Sequence, residues 1–148
     1  MSKIFAFIVT FPLAFILFVK SVAFFDYDIK ERYLQNATDL LAYKVKITGV
    51  LTTADLDEYK SKAAALLNTT QDKLSVQYSS GCDSGSGIAW NSYTLGSQLT
   101  KGYYFKVYLE DANVTLYSKV QNFGIDTSNP GNNLKHKAKS VVRVEFYE

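Results

Sequence analysis

IFAFIVTFPLAFILFVKSVAFF (Ile4–Phe25) runs directly into DYDIKERYLQNATDLLAYKVKITG (Asp26–Gly49), and no turn signal separates the two. Together they read as one helix whose first half suits lipid and whose second half suits water. Between Ile4 and Val19 only Thr10 is polar. About 20 apolar residues cross a bilayer at 1.5 Å per residue, so the run can span one. Lys20 near its end can snorkel to the headgroups, and Phe24, Phe25 and Tyr27 are expected to form an interfacial aromatic belt. Lys3 places positive charge before the run, which predicts a cytoplasmic N-terminus and an exported head. A cleaved signal peptide is the rival reading, because Ser21-Val-Ala23 offers small residues to a peptidase. Lys20 sits badly for cleavage there, and Phe24 and Phe25 would be left exposed at the new terminus. Retention is the expectation.

Pro12 lies mid-span. It withdraws the hydrogen bond to the Ile8 carbonyl, which predicts a kink or melted turn. The freed carbonyl then needs a partner, such as the Thr10 hydroxyl or a neighbouring helix. Proline is tolerated in membrane helices, and it also suits a helix that packs against copies of itself; the residues leave both open. Beyond the span, Ile29, Tyr33, Leu34, Ala37, Leu40, Leu41 and Val45 recur at helical spacing, interrupted by Lys30 and Lys44. This stripe is expected to lie under the head's own sheet, with Gly49 as the left-handed residue that ends the helix. The membrane and assembly residues read from this helix are Ile4, Pro12, Phe15, Phe18, Lys20 and Phe24 in the span, then Tyr33, Leu34, Ala37 and Leu41 in the extension.

Residues 50–148 suffice for one small domain. Thr53 reads as the N-cap of a second helix, with Asp55, Asp57 and Glu58 in its first turn and an end near Asn68. The period then changes to two. Leu74, Val76 and Tyr78 predict a strand, and Ser79 to Gly87 predicts a mobile Gly/Ser loop. Tyr103–Glu110 is a strand with Phe105, Val107 and Leu109 inward. Asp111-Ala-Asn113 is read as a turn into a partner strand bearing Val114, Leu116 and Val120. A turn over 128–133 precedes a last strand from Leu134 to Tyr147, with Ala138, Ser140, Val142, Val144 and Phe146 on one face. The fold class is α+β: residues 1–25 form the transmembrane segment, 26–49 the amphipathic extension, and 50–148 a head with a small antiparallel sheet of three to four strands and one short extra helix.

The 148 residues carry a net charge of +2, so charge alone points neither to nucleic acid nor to an acidic substrate. With one cysteine, Cys82, no intrachain disulfide or thiolate metal site can form. An exported domain without disulfides suits a bacterial envelope better than a eukaryotic secretory route, although Asn36-Ala-Thr38, Asn68-Thr-Thr70 and Asn113-Val-Thr115 are glycosylation sequons. Cys82-Asp-Ser-Gly-Ser-Gly87 has a superficial likeness to a serine-protease nucleophile loop, but His136 is the only histidine and its flanks do not match. His136 is read as a surface strand residue between Lys135 and Lys137, unsuited to a metal. Asp26/Asp28 and Asp55/Asp57 lack calcium-loop spacing. Lys135, Lys137, Lys139 and Arg143 share a strand face, read as a charged sheet edge before an anion site. No enzyme activity, cofactor, metal, nucleic acid or small-molecule substrate is expected.

Phe11-Pro12-Leu13, Phe24-Phe25-Asp26-Tyr27, Tyr33-Leu34-Gln35-Asn36-Ala37 and Gly49, with the closing Val142-Arg-Val-Glu-Phe-Tyr147, resemble the TadE-like pseudopilin family. The resemblance covers the first fifty residues best. It implies a structural subunit of a pilus, secretion or conjugation apparatus, with partners in the membrane and in further copies or other subunits. The sequence departs from prepilins in one place: Ser2-Lys3 precede the apolar run, and no acid interrupts it before Asp26. The resemblance therefore implies an uncleaved membrane protein, single-pass, with a surface filament as one destination. The alternative is a secreted or bitopic adhesin or partner-binding module.

Overall fold

The computed structural model describes residues 2–121 and 133–145, leaving aside the side chains of Ser2 and Phe5. Helix α1 (Ser2–Thr48) is unbroken over 47 residues, including Pro12. At 1.5 Å per residue it is about 70 Å long. The Thr10 hydroxyl donates to the carbonyl of Ala6, not Ile8, so it does not serve the carbonyl that Pro12 frees. Gly49 stops the helix at φ 70°, a conformation cheap only for glycine, while its N–H bonds the Val45 carbonyl at 2.8 Å.

Helix α2 (Thr53–Leu67) follows. Its N-cap is Thr52 rather than Thr53, because a capping box needs its acid three residues on. The Thr52 hydroxyl accepts the Asp55 N–H at 3.2 Å, and the Asp55 carboxylate accepts the Thr52 N–H at 3.3 Å. Lys44 of α1 also reaches Asp55, and this hydrogen bond is the main reason its carboxyl is held below the usual range. A 3-10 turn (Gln71–Lys73) leads into β1 (Leu74–Asp83), β2 (Ile88–Ser92), β3 (Tyr104–Val114), helix α3 (Leu116–Gln121) and β4 (Lys135–Arg143). The sheet is antiparallel, in the order β2-β1-β3-β4.

Two expected segments take a different form. The mobile loop over Ser79–Gly87 is instead the top of a hairpin: β1 continues to Asp83 against β2, and only Ser84–Gly87 turns, with the Ser84 N–H on the Gly87 carbonyl at 2.9 Å. Small polar residues there satisfy a tight turn and an extended edge equally well, and Ile88-Ala-Trp90 supplies the returning strand. Cys82 thus lies on β1 opposite Ala89, half-buried. The second correction concerns Val114–Val120. Strand β3 ends at Val114 and α3 begins, because the Thr115 hydroxyl caps it by accepting the Ser118 N–H at 3.1 Å. Leu116 is exposed and Val120 half-buried, and the strands that pair with β3 are β1 and β4. The head therefore has two extra α-helices where one was expected. The turn over 128–133 falls almost wholly outside the described residues, as do Phe146 and Tyr147.

Phe105, Val107 and Leu109 line the inner face of β3 with no exposure, and Ala138 and Val144 extend that face. Leu34, Leu41, Ala42 and Val45 of α1, with Tyr59, Ala63 and Leu67 of α2, complete one core. The head is thus two layers, a four-stranded sheet covered by α1 and α2. Leu34 (0% exposed) and Leu40 (70% exposed) occupy opposite sides of α1 and make a controlled pair. Leu34→Ala lowers head stability by ~2–5 kcal/mol through a cavity. Leu40→Ala shifts it by no more than ~0.5 kcal/mol. Denaturant titration in micelles, followed by the emission of the single tryptophan, measures both.

A candidate membrane-spanning and interaction helix

The faces of α1 meet three surroundings. From Ile4 to Phe18 no residue with a described side chain is buried, so Ile4, Ile8, Pro12, Phe15 and Phe18 all face outward. This is the one helix among the described residues long and apolar enough to cross a membrane, which is compatible with single-pass anchoring. Lys20 is half-covered at its end.

At the exit, the expected aromatic belt is divided. Phe25 stays exposed, but Phe24 meets Tyr117 of α3 edge-on at 5.5 Å. Tyr27 stacks between Tyr117 (5.7 Å) and His136 (5.1 Å). The head has claimed these rings. Asp26 and Asp28 pair at 2.9 Å with Lys30 and Arg32, one helical turn on.

His136 is not a surface residue; it is 6% exposed. Its even number puts it on the inward side with Ala138 and Ser140, a parity that the flanking lysines obscure. Its Nδ1 lies 3.0 Å from Glu31 Oε2. The other Glu31 oxygen accepts the Lys137 N–H at 3.4 Å. One turn along, the Gln35 amide accepts the Lys139 N–H at 3.3 Å and donates to the Lys139 carbonyl at 2.9 Å. β4 is a sheet edge, and side chains of α1 occupy the backbone groups that another strand would otherwise take. The basic residues Lys137, Lys139 and Arg143 stay exposed on the outward side of this edge.

The stripe divides in the same way. Leu34, Ala37, Leu41 and Val45 turn toward the head, joined by Thr38 and Ala42, which sequence periodicity passed over because neither is a large apolar side chain. Ile29, Tyr33 and Leu40 face away from it, with Tyr43 and Ile47. Lys30 and Lys44 fall at the borders, paired with Asp26 and Asp55. Thr38 is a polar joint in the seam. Its hydroxyl donates to the Leu34 carbonyl at 2.8 Å and lies 2.6 Å from the Tyr59 hydroxyl. The Thr38 proton is thereby committed, so Tyr59 donates.

Among the described residues no three His, Cys, Asp or Glu side chains gather as a metal site would require. Class and geometry are therefore those of an α+β protein with a long apolar N-terminal helix on a four-stranded antiparallel sheet. Comparison with protein-family models, curated proteins and solved structures returned no match.

Burial pushes the Tyr59 hydroxyl up to about 12, so the folded head favours its neutral form. Stability from this group is complete below pH ~10, its unfolded value, and is lost as pH rises toward ~12. The melting temperature is expected to fall through that window. Tyr59→Phe flattens the fall and costs ~1 kcal/mol near neutrality, where circular dichroism melts over a pH series read both effects.

Proposed function

We propose that this protein is a non-enzymatic, pilin-like subunit of a pilus, secretion or conjugation apparatus, anchored and assembled through α1, with its N-terminus cytoplasmic and its head exported. One observation carries the reading. Ile29, Tyr33, Leu40, Tyr43 and Ile47 remain exposed on the part of α1 that already carries the head. With Asn36 they recur at alternating steps of four and three residues, the spacing of a helix–helix seam. The stripe continues down the span through Phe25, Val22, Phe18, Phe15 and Phe11, all exposed.

An apolar stripe that crosses from lipid into water is best covered by another helix of the same length and the same membrane crossing, which a second copy supplies. Asn36, the one polar residue in the seam, pairs with its own counterpart and fixes register, a task prepilins give to an acid that this chain lacks. Glycosylation at its sequon is incompatible with such a seam. The resemblance to TadE-like pseudopilins, carried largely by the apolar run and its aromatic exit, supports the same reading.

Cysteine cross-linking in intact cells tests the proposal in a Cys82→Ser background. Tyr43→Cys is expected to give disulfide-linked homo-oligomers, whereas Ser75→Cys, exposed on the far side of the sheet, gives none. Recovery of the oligomers in sheared surface material marks a filament, and recovery in membranes alone marks an anchored assembly. Monomers from both variants overturn self-assembly in favour of a bitopic partner-binding protein, and an intact mass starting at Phe24 overturns anchoring.

A further inference from the structure

The sheet has a second face, turned away from α1, that the proposed assembly does not use. Its outward residues form a shallow trough of about 500 Å³, within the range of ligand sites. Gly81 pairs with Trp90 across the β1–β2 hairpin, and the indole lies over it. A Cβ at Gly81 would stand 2.6 Å from Ile88 Cγ2, 2.8 Å from the Ala89 carbonyl oxygen and 3.1 Å from Trp90 Cε3, so only glycine fits beneath these neighbours. The Lys106 ammonium lies over that ring, 4.4 Å from its centroid. Ser79, opposite Lys106 in register, forms part of the trough, and its hydroxyl is buried without a partner among the described residues. Buried polar groups are otherwise almost always bonded, and leaving one unmade costs ~1–3 kcal/mol. Gln77, Asn91, Tyr108 and Lys139 are among its other lining residues, and no carboxylate lines it. Among the described residues neither Lys106 nor Lys139 has an ion-pair partner.

A single indole, amide and hydroxyl groups, two unpaired ammoniums and an open trough suit one kind of ligand. A flat ring with an apolar face, a rim of hydroxyls and a carboxylate matches each of these, and the shallow form admits a polymer rather than an enclosed small molecule. We propose that this face binds an anionic polysaccharide built from uronic-acid units. A carboxylate draws the Lys106 ammonium off the indole, and the uncovered ring takes the apolar face of the sugar. Lys139 holds a second acidic group, and with Lys106 displaced a sugar hydroxyl reaches the Ser79 hydroxyl that is buried in the free protein. The proposal stands apart from assembly through α1, because the two surfaces lie on opposite sides of the sheet.

Trp90 is the only tryptophan in the chain, so its emission reports on this trough directly. The full-length protein in micelles is titrated with polygalacturonate, with neutral dextran, and with polyphosphate, a polyanion that has no ring to stack. Polygalacturonate is expected to give the largest saturable change in Trp90 emission, polyphosphate a smaller one through Lys106 alone, and dextran none. Lys106→Gln weakens that binding about tenfold, as the loss of one charge-assisted contact does, and Lys139→Gln adds to it. Ser79→Ala weakens it several-fold without lowering the melting temperature of the free protein. An equal response to polyphosphate reduces the site to a charge effect and overturns the proposal. An equal response to dextran removes the need for the acid and overturns it too. Silence from all three polymers, or unchanged affinity in correctly folded Lys106→Gln and Ser79→Ala proteins, overturns it as well.

Discussion

The inner face of the sheet is covered by a helix that also runs on beyond the head as an exposed apolar rod, and the rest of the structure follows from that double duty. Phe105, Val107 and Leu109 need an apolar cover, and Leu34, Leu41, Ala42 and Val45 provide it. At its far end, α1 is held by the connection between β2 and β3, where the Gly96 and Leu99 N–H groups bond the Leu51 and Gly49 carbonyls. Gln98 reaches the Thr48 carbonyl in the same region. The Gln98 bond satisfies a carbonyl that the helix end leaves open, and the other two tie down the residues just beyond it, so the end is fixed rather than frayed.

The seam joins unlike kinds of interaction. Apolar contacts supply most of its free energy, since burial scales with area and is indifferent to register. Gln35 and Glu31 supply what burial lacks, a fixed position of the helix along β4, because an amide that both donates and accepts fits one residue and not its neighbour. Thr38 and Tyr59 do the same between the two helices. Removing the polar contacts would leave a helix that is covered but free to slide.

Much of this was legible in the residues. A 22-residue apolar run, an amphipathic continuation and Gly49 were enough to predict one long helix, and the period of two in Tyr103–Glu110 placed β3 with its inward residues correctly. What failed has common causes. Hydropathy alone cannot divide a stripe between two neighbours, so Tyr33 and Leu40 were grouped with Leu34 and Leu41 although they face away. Small polar residues hid an edge hairpin at Ser79–Gly87, because strand signals rest on bulky side chains. The contact of His136 and Tyr117 with Tyr27 joins residues about a hundred positions apart, and no local pattern encodes it. Only the parity of His136 with Ala138 offered a hint.

The long axis of the seam runs with α1, from Tyr27 and Glu31 beside the exposed apolar run to Val45 and Gly49 at the far end. A pull on the head that is resisted along the apolar half of α1 therefore loads these contacts side by side, in shear, instead of opening them one after another as a hairpin unzips. Rows of bonds loaded together give way together, so the attachment resists force better than any single contact in it. A continuous rod with no hinge between its exposed apolar half and the head then passes tension and torque through without dissipating them in a linker.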